Sequence, residues 1–467
     1  MLQGHNVEAR FDINELFFSR TDLRGVIEYG NEVFCRMSGY ELSHMRGKPH
    51  NVIRHPDMPK CVFKLFWERL QSKLEVVAYV KNRARDGSFY WVLALVTHVE
   101  NGYVSVRLKP SSQFFKIVQG LYSELLEIEK TEKISISHEK LFKALAQLGF
   151  PNYDAFMQKV LHEEMLSRSS QLKNRVKNRP HFFSRLPKML ISAYGDATGD
   201  GNKAVRLTGR VQRFETHFNS VQAAANRVLG FHRTLKVLSL NMACAAQVGG
   251  DSGRTLGVVS RKFRDWSEDI QRKFRELEGC LNRFDCTLKE SIFSIYCSTL
   301  IFEMGEKFFE EIVDFPAADE ELAATSHKIL KEFYRFVIER FLKVESELQV
   351  IFKDYQIIHQ ILHDLFNVAV GMDVIRVNGR IEAAESNFKY RGFESYIESM
   401  EKLTIDLKVT LESLLVQSDS VIEVCQGVGT ALIDARNQVF QLTGIASRYH
   451  IAVHPQPLAT SMTGSKF

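Results

Sequence analysis

The chain has 467 residues, roughly two to four domains' worth and enough to bury a sizeable core. Hydrophobic residues make up 45% and charged residues 25%, which excludes wholesale disorder. With 61 basic against 56 acidic residues the net charge is only +5, so neither nucleic acid nor an anionic membrane is expected as the main partner.

From the N-terminus, beta-leaning runs occur at 15–20, 26–29, 76–82, 89–99 and 103–108. In Tyr90–His98 the apolar residues fall on both faces, Trp91, Leu93 and Leu95 on one and Val92, Ala94 and Val96 on the other. That pattern predicts a sheet covered on both sides. Asn101-Gly102 predicts a tight hairpin turn between the last two strands, because both residues tolerate positive φ. Between the second and third strands a helix is expected over 61–73, with Phe63, Phe66, Trp67 and Leu70 on one stripe.

Residues 111–200 read as an irregular helical connector punctuated by Pro151, Pro180 and Pro187. Asp196–Gly201 reads as a loop. It lacks the following glutamate that a calcium loop requires.

From 203 to 447 the pattern is that of long helices. Phe263, Trp266, Ile270, Phe274, Leu277, Leu281, Phe284, Leu288, Ile292 and Ile295 recur in steps of three and four, the mark of a coiled-coil seam. The tail over 454–467, with Pro455 and Pro457, is expected to be disordered. No run of 18 apolar residues occurs, so no membrane span is expected. The seven cysteines are scattered without a C-x-x-C pair. With no signal-peptide pattern at the start, they predict a reduced, cytoplasmic protein with buried thiols.

The densest local motif is Gly47-Lys48-Pro49-His50-Asn51-Val52-Ile53-Arg54-His55-Pro56-Asp57-Met58-Pro59, with Trp67 eight residues beyond the last proline. Val80-Lys81-Asn82-Arg83, Asp86-Gly87 and Phe89-Tyr90-Trp91-Val92 follow. Together with Phe18-Ser19-Arg20-Thr21-Asp22-Leu23, Asn31, Phe34 and Ser38-Gly39-Tyr40, this region closely resembles the PAS domain of bacterial aerotaxis receptors. The resemblance implies an α+β PAS domain over 12–110 and FAD as its cofactor. It places Arg54, His55, Asp57 and Trp67 at the positions that hold FAD, with Asn31 and Tyr90 as further polar groups of the pocket. The chemistry agrees: an aromatic face stacks on the isoalloxazine ring, and a guanidinium or imidazole suits the pyrophosphate. The plain alternatives are an Arg54–Asp57 ion pair beside a proline turn and Trp67 as core. Val76 stands where the family usually carries a second tryptophan, and no histidine matches a heme-binding pattern.

Farther on, Leu240-Asn241-Met242-Ala243-Cys244-Ala245-Ala246 through Gly250-Asp251-Ser252-Gly253-Arg254 and Val258-Val259 resembles, without gaps, the hairpin tip of methyl-accepting chemotaxis receptors. A second copy lies 137 residues on, since Asn378 follows Asn241 and Arg391 follows Arg254 at that interval, with Glu382 in its Ile381-Glu382-Ala383-Ala384 core. Two hairpins are therefore expected, at 203–313 with its tip near 241–254 and at 317–447 with its tip near 378–393. One chain then supplies an all-α four-helix bundle, a monomer imitating a receptor dimer. In the family such tips bind the chemotaxis histidine kinase and its coupling protein. Asn241, Asp251, Arg254, Asn378, Glu382 and Arg391 are the partner-binding candidates, for those proteins or other motility proteins. Ala245, Val248 and Glu385 depart from the family's tip pattern.

Ala317–Thr325 resembles part of a receptor methylation site, but an exposed acidic helix start explains it as well. His359 and His363 are four apart without a third metal ligand in view. No phosphate loop, nucleophile elbow or kinase signature is present, so no enzyme is expected. Two functions remain: a redox or energy-taxis sensor that binds FAD, and a cofactor-free scaffold that uses the PAS and bundle surfaces for protein contacts.

Overall fold

The computed structural model describes residues 7–173, 203–248, 254–313, 320–385 and 391–448. Five strands open the chain: β1 Phe17–Thr21, β2 Ile27–Gly30, β3 Val76–Arg83, β4 Phe89–Val99 and β5 Gly102–Leu108. They form one antiparallel sheet in the order β2-β1-β5-β4-β3. Between β2 and β3 lie α1 (Glu32–Ser38), α2 (Leu42–Met45), a 3₁₀ turn (His50–Ile53) and α3 (Lys60–Gln71). Three helices follow the sheet: α4 (Phe114–Thr131), α5 (Ile134–Gln147) and α6 (Tyr153–Lys173). Then come four long ones, α7 (Lys203–Val248), α8 (Arg254–Val313), α9 (Glu320–Glu385) and α10 (Arg391–Arg448). The fold is thus an antiparallel PAS-type sheet with helices, followed by a predominantly helical region.

Both faces of the sheet are covered, as the two-sided apolar pattern of β4 demands. On the outer face Trp91 meets Phe115 and Tyr122 of α4, and the Tyr79 hydroxyl donates to Glu164 of α6 at 2.7 Å. Also on this face, Phe18 and Tyr29 pack against Phe308 of α8, and Phe18 meets Phe333 of α9. On the inner face, Arg107 meets Phe34 of α1 and His50 of the 3₁₀ turn, while Tyr103 meets Trp67 of α3.

The β4–β5 turn differs from expectation. Val99 pairs with Gly102, so the loop residues are Glu100 and Asn101, and Asn101 does not take positive φ. Gly102 is needed for a different reason: a Cβ there would overlap the carbonyl oxygen of Thr21 on the neighbouring strand. Helix α3 also ends earlier than expected. Lys73 takes φ +58, its N–H bonds to Leu70 O and that of Leu74 to Arg69 O, which is a Schellman stop.

Two compact units emerge. The first gathers the described residues of Met1–Thr208, Phe293–Val344 and Leu432–Phe467; the second is Gly209–Ile292 with Glu345–Ala431. The division therefore cuts through long helices rather than between the expected hairpins. In the second unit Phe218 of α7 packs on Phe284 of α8, and Phe284 on Tyr355 of α9. Arg376 of α9 pairs with Glu401 of α10, and Ser220 of α7 bonds Gln417 of α10. Each helix thus contacts two others in a four-helix arrangement. The seam residues of α8 are buried except Trp266, which is half-buried and lies so close to Gly371 of α9 that a Cβ there would overlap its ring.

Among the described residues no helix is long and apolar enough to cross a membrane. Cys61, Cys280, Cys297 and Cys425 are buried, but Cys244 and Cys286 are exposed, which corrects the expectation of uniformly buried thiols. The Asp196–Gly201 loop, residues 314–319, Asp251 and the 454–467 tail lie outside the described residues.

Candidate functional site

The proline motif splits into two places. Arg54, at the end of the 3₁₀ turn, donates through Nη2 to Met58 O at 3.2 Å and lies 4.1 Å over the Phe63 ring. Burial lowers its pKa. His55 Nδ1 accepts the N–H of Asp57 at 3.0 Å, and burial, reinforced by Lys81, holds its pKa below the ordinary value. Asp57 pairs with Lys81 at 2.7 Å, not with Arg54, and that bond keeps its carboxyl below the usual range. Arg54, Asp57, Lys60 and Lys81 line a groove of about 680 Å³ together with Trp91 and Tyr122. The carboxylates of Glu8, Glu127 and Glu129 and the Phe89 ring line the same groove, so its cations stand among acids.

The remaining candidates lie elsewhere. Trp67 is half-buried and packs edge-on against Tyr103, ring centroids 5.8 Å apart. A Cβ on Gly25, whose φ is +78, would come within 2.7 Å of that indole. Asn31 is fully engaged: Oδ1 accepts from Phe18 N and Phe34 N, and Nδ2 donates to Leu16 O and to Glu311 Oε1. It caps α1 and ties β1 to α8, which leaves it no free polar group for a pocket. Tyr90 is wholly buried on the inner face, stacked on Phe17, and its hydroxyl has no hydrogen-bond partner among the described residues.

Beside Tyr90 the structure brings together residues that sequence reasoning passed over. Arg107 is 4% exposed. Its Nη2 donates to Ser19 Oγ at 2.7 Å and to His50 Nε2 at 2.6 Å. Burial, reinforced by Arg107, pushes the His50 pKa down to about 3, so the ring is a neutral acceptor. Burial lowers Arg107 itself to about 10. Arg107 Nη1 and Ser105 Oγ, like Tyr90 Oη, are buried without a partner. The alternation Tyr103, Ser105, Arg107 against Val104, Val106, Leu108 carried the signal: a charged residue inside a strand covered on both faces.

Of the tip candidates, Asn241 and Asn378 are exposed, while Asp251 and the side chains of Arg254, Glu382 and Arg391 lie outside the described residues. His359 bonds Ser418 and His363 bonds Asn367. Among the described residues no three metal-ligating side chains come together.

Residues 27–106 match the family described as PAS fold. The chain is 38% identical over 112 residues to the aerotaxis receptor of Escherichia coli (strain K12), which covers 23% of this chain and 22% of that protein. It is 31% identical over 83 residues to the nitrogen fixation regulatory protein of Klebsiella pneumoniae, covering 18% of this chain and 17% of that one. Among solved structures, the light state of the blue-light photoreceptor Aureochrome1 LOV is 20% identical, with a TM-score of 0.21, over 22% of this chain and 88% of that one. The chain thus spans about a fifth of the length of the curated relatives it matches, and the similarity falls on its N-terminal sheet and helices.

Proposed function

We propose that the chain is a redox or energy sensor that binds a flavin, FAD, in its PAS domain and signals through its long helices to chemotaxis or motility partners. A flavin supplies reversible electron uptake. The observation that carries the reading is the buried set of unpartnered polar atoms, Tyr90 Oη, Ser105 Oγ and Arg107 Nη1, inside a domain 38% identical to part of an aerotaxis receptor. Buried polar atoms are costly unless a partner satisfies them, and a flavin ring offers acceptors. Arg54, Lys60 and Lys81 around the groove would hold the phosphates. The outer face of the same sheet contacts α8 and α9 through Phe18, Tyr29, Phe308 and Phe333. A change inside the sheet therefore has a packed route to the helices. The histidine kinase and its coupling protein are the proposed partners, with Asn241 and Asn378 among the residues that would meet them.

One observation favours the alternative, a cofactor-free scaffold. The inner layer is tightly packed at Gly30, where a Cβ would overlap the Phe34 ring. The two readings separate on purified full-length protein. Near-stoichiometric FAD released on denaturation supports the sensor; protein that is folded, colourless and unresponsive to added FAD supports the scaffold.

A further inference from the structure

Helix α6 has no single apolar face: Val160, Leu161, His162, Glu164 and Met165 are all buried. A helix buried on several sides lies between other elements, and its polar residues show which. The Glu164 carboxylate is fully buried. Among the described residues its donors are uncharged: the Tyr79 hydroxyl, and the N–H and hydroxyl of both Ser111 and Ser112, at 2.7–3.0 Å. Ser167 donates to Ser111 O at 3.1 Å. Ser111 and Ser112 form the exit of β5. One turn past Glu164, Arg168 makes two bonds of 2.7 Å to Glu303 of α8. It also donates to Ile13 O, on the approach to β1, at 3.1 Å. Lys307 of α8 bonds Asn14 O beside it. Phe17 pairs with Arg107, so the start of β1 and the end of β5 share one end of the sheet. Helix α6 thus holds both strand ends and, through Arg168, helix α8.

We infer that α6 is the element that couples the sheet to α8: Glu164 and Ser167 follow the exit of β5, and Arg168 passes their displacement to Glu303. A buried carboxylate carries a desolvation cost that is offset only while its bonds keep their geometry. Charge-assisted bonds in a low-dielectric interior are short and strong. A shift of Ser111 and Ser112 against α6 would strand the Glu164 charge, so α6 moves with them. The same reasoning fixes Glu303 to Arg168, since both side chains are almost wholly buried. A cavity of about 240 Å³, lined by Ile13, Lys109, Ser111 and Gln171, lies beside these bonds. It gives the strand ends room to shift in an otherwise close-packed interior. Phe18 also touches α8, but apolar contact is non-directional; the bonds of α6 are directional and set a register. That the signal runs outward from the sheet rests on the sensor reading; the coupling itself does not.

The test is a double-mutant cycle in the full-length protein as purified, read by native-state hydrogen exchange of the α8 amides over 298–308. Tyr79→Phe removes one donor to Glu164 on the sheet side. Glu303→Gln weakens the bonds on the α8 side. The two changes act on different residues of α6. Independent contacts would multiply their effects on the exchange rate to within about twofold. Coupling through α6 predicts that the pair departs from that product by more, on the order of fivefold. Glu129→Gln loosens the junction of α3 and α4 instead, and its effect should simply multiply with that of Glu303→Gln. If Tyr79→Phe and Glu303→Gln also multiply within twofold, α6 is a static buttress and the coupling is overturned, while the flavin reading stands. A departure beyond twofold in protein that neither contains nor takes up FAD removes the flavin reading and keeps the coupling. Where Glu303→Gln does not fold, Arg168→Lys takes its place in the same cycle, with the same two outcomes.

Discussion

The amide of Asn31 donates to Glu311 at 3.2 Å, joining the start of α1 to helix α8 across 280 residues of sequence. The backbone N–H of Glu32 donates to the other oxygen of the same carboxyl at 3.3 Å. Burial raises the Glu311 pKa to about 7, against the bonds from the Glu32 N–H and the Asn31 amide, which lower it. A carboxyl whose folded pKa lies above its unfolded value binds its proton more tightly when folded. Its contribution is therefore full below about pH 4.5 and is lost as pH rises through about 7. The shift from 4.5 corresponds to an upper bound of roughly 3 kcal/mol, at about 1.4 kcal/mol per unit. Glu311→Gln keeps an uncharged acceptor at every pH. Urea unfolding should show the parent losing stability relative to the variant between pH 5 and 8. Parallel pH profiles would exclude the titration of Glu311 as their cause.

How much of this was legible follows from the range of the interactions. The five strands could be read because alternation in Tyr90–His98 and the runs around it are local, and all five begin and end within two residues of expectation. The seam of α8 was legible for the same reason. The bonds of Asn31 to Leu16, Phe18 and Glu311 could not be read, because tertiary packing fixes them. The packing of Phe18 on Phe308 and Phe333 leaves no periodic trace. Nor does the unit boundary near 292 and 345, since helical periodicity runs straight through it. Arg107 could have been found by asking why a doubly covered strand contains a charge.

A second link to α8 is wholly buried. Arg168 of α6 meets Glu303 in two parallel bonds of 2.7 Å, with side chains 2% and 6% exposed, and its Nε donates to Ile13 O. Removing one member strands the other charge, so Arg168→Met or Glu303→Leu alone should cost about 3–5 kcal/mol. The double variant Arg168→Met with Glu303→Leu should cost less than either single change. The comparison is a double-mutant cycle in denaturant, and simple additivity would mean that the pair is not coupled.

Lys73 holds the left-handed position of the Schellman stop after α3. A side chain there costs an L-residue about 1 kcal/mol, a penalty glycine escapes. Lys73→Gly should therefore stabilise the protein by about 0.5–1 kcal/mol, although it removes a charge and adds chain entropy. Gly102→Ala should do the reverse and destabilise strongly, since its Cβ would overlap Thr21 O in the backbone of β1. Melting temperatures of the two variants should move in opposite directions from the parent.

Helix α3 begins at Lys60 with Pro59 in the capping position, and no side chain of its own segment caps it. The cap comes from α4: Glu129 accepts Lys60 N at 2.7 Å, Cys61 N at 2.8 Å and the Ser137 hydroxyl at 2.9 Å. Burial works to raise the Glu129 pKa, but the bonds from Lys60 and Cys61 outweigh it and hold it below 4.5. The charge also faces the positive end of the helix dipole. Glu129→Ala should cost about 1–2 kcal/mol, the range for loss of a helix cap. Here the folded pKa is depressed, so the contribution is present above about pH 4.5 and lost as pH falls through the folded value. The gap in stability between the parent and Glu129→Gln should hold steady from pH 8 to 5 and narrow below about pH 4. A gap that widens on acidification would mean that the carboxylate is not what caps α3.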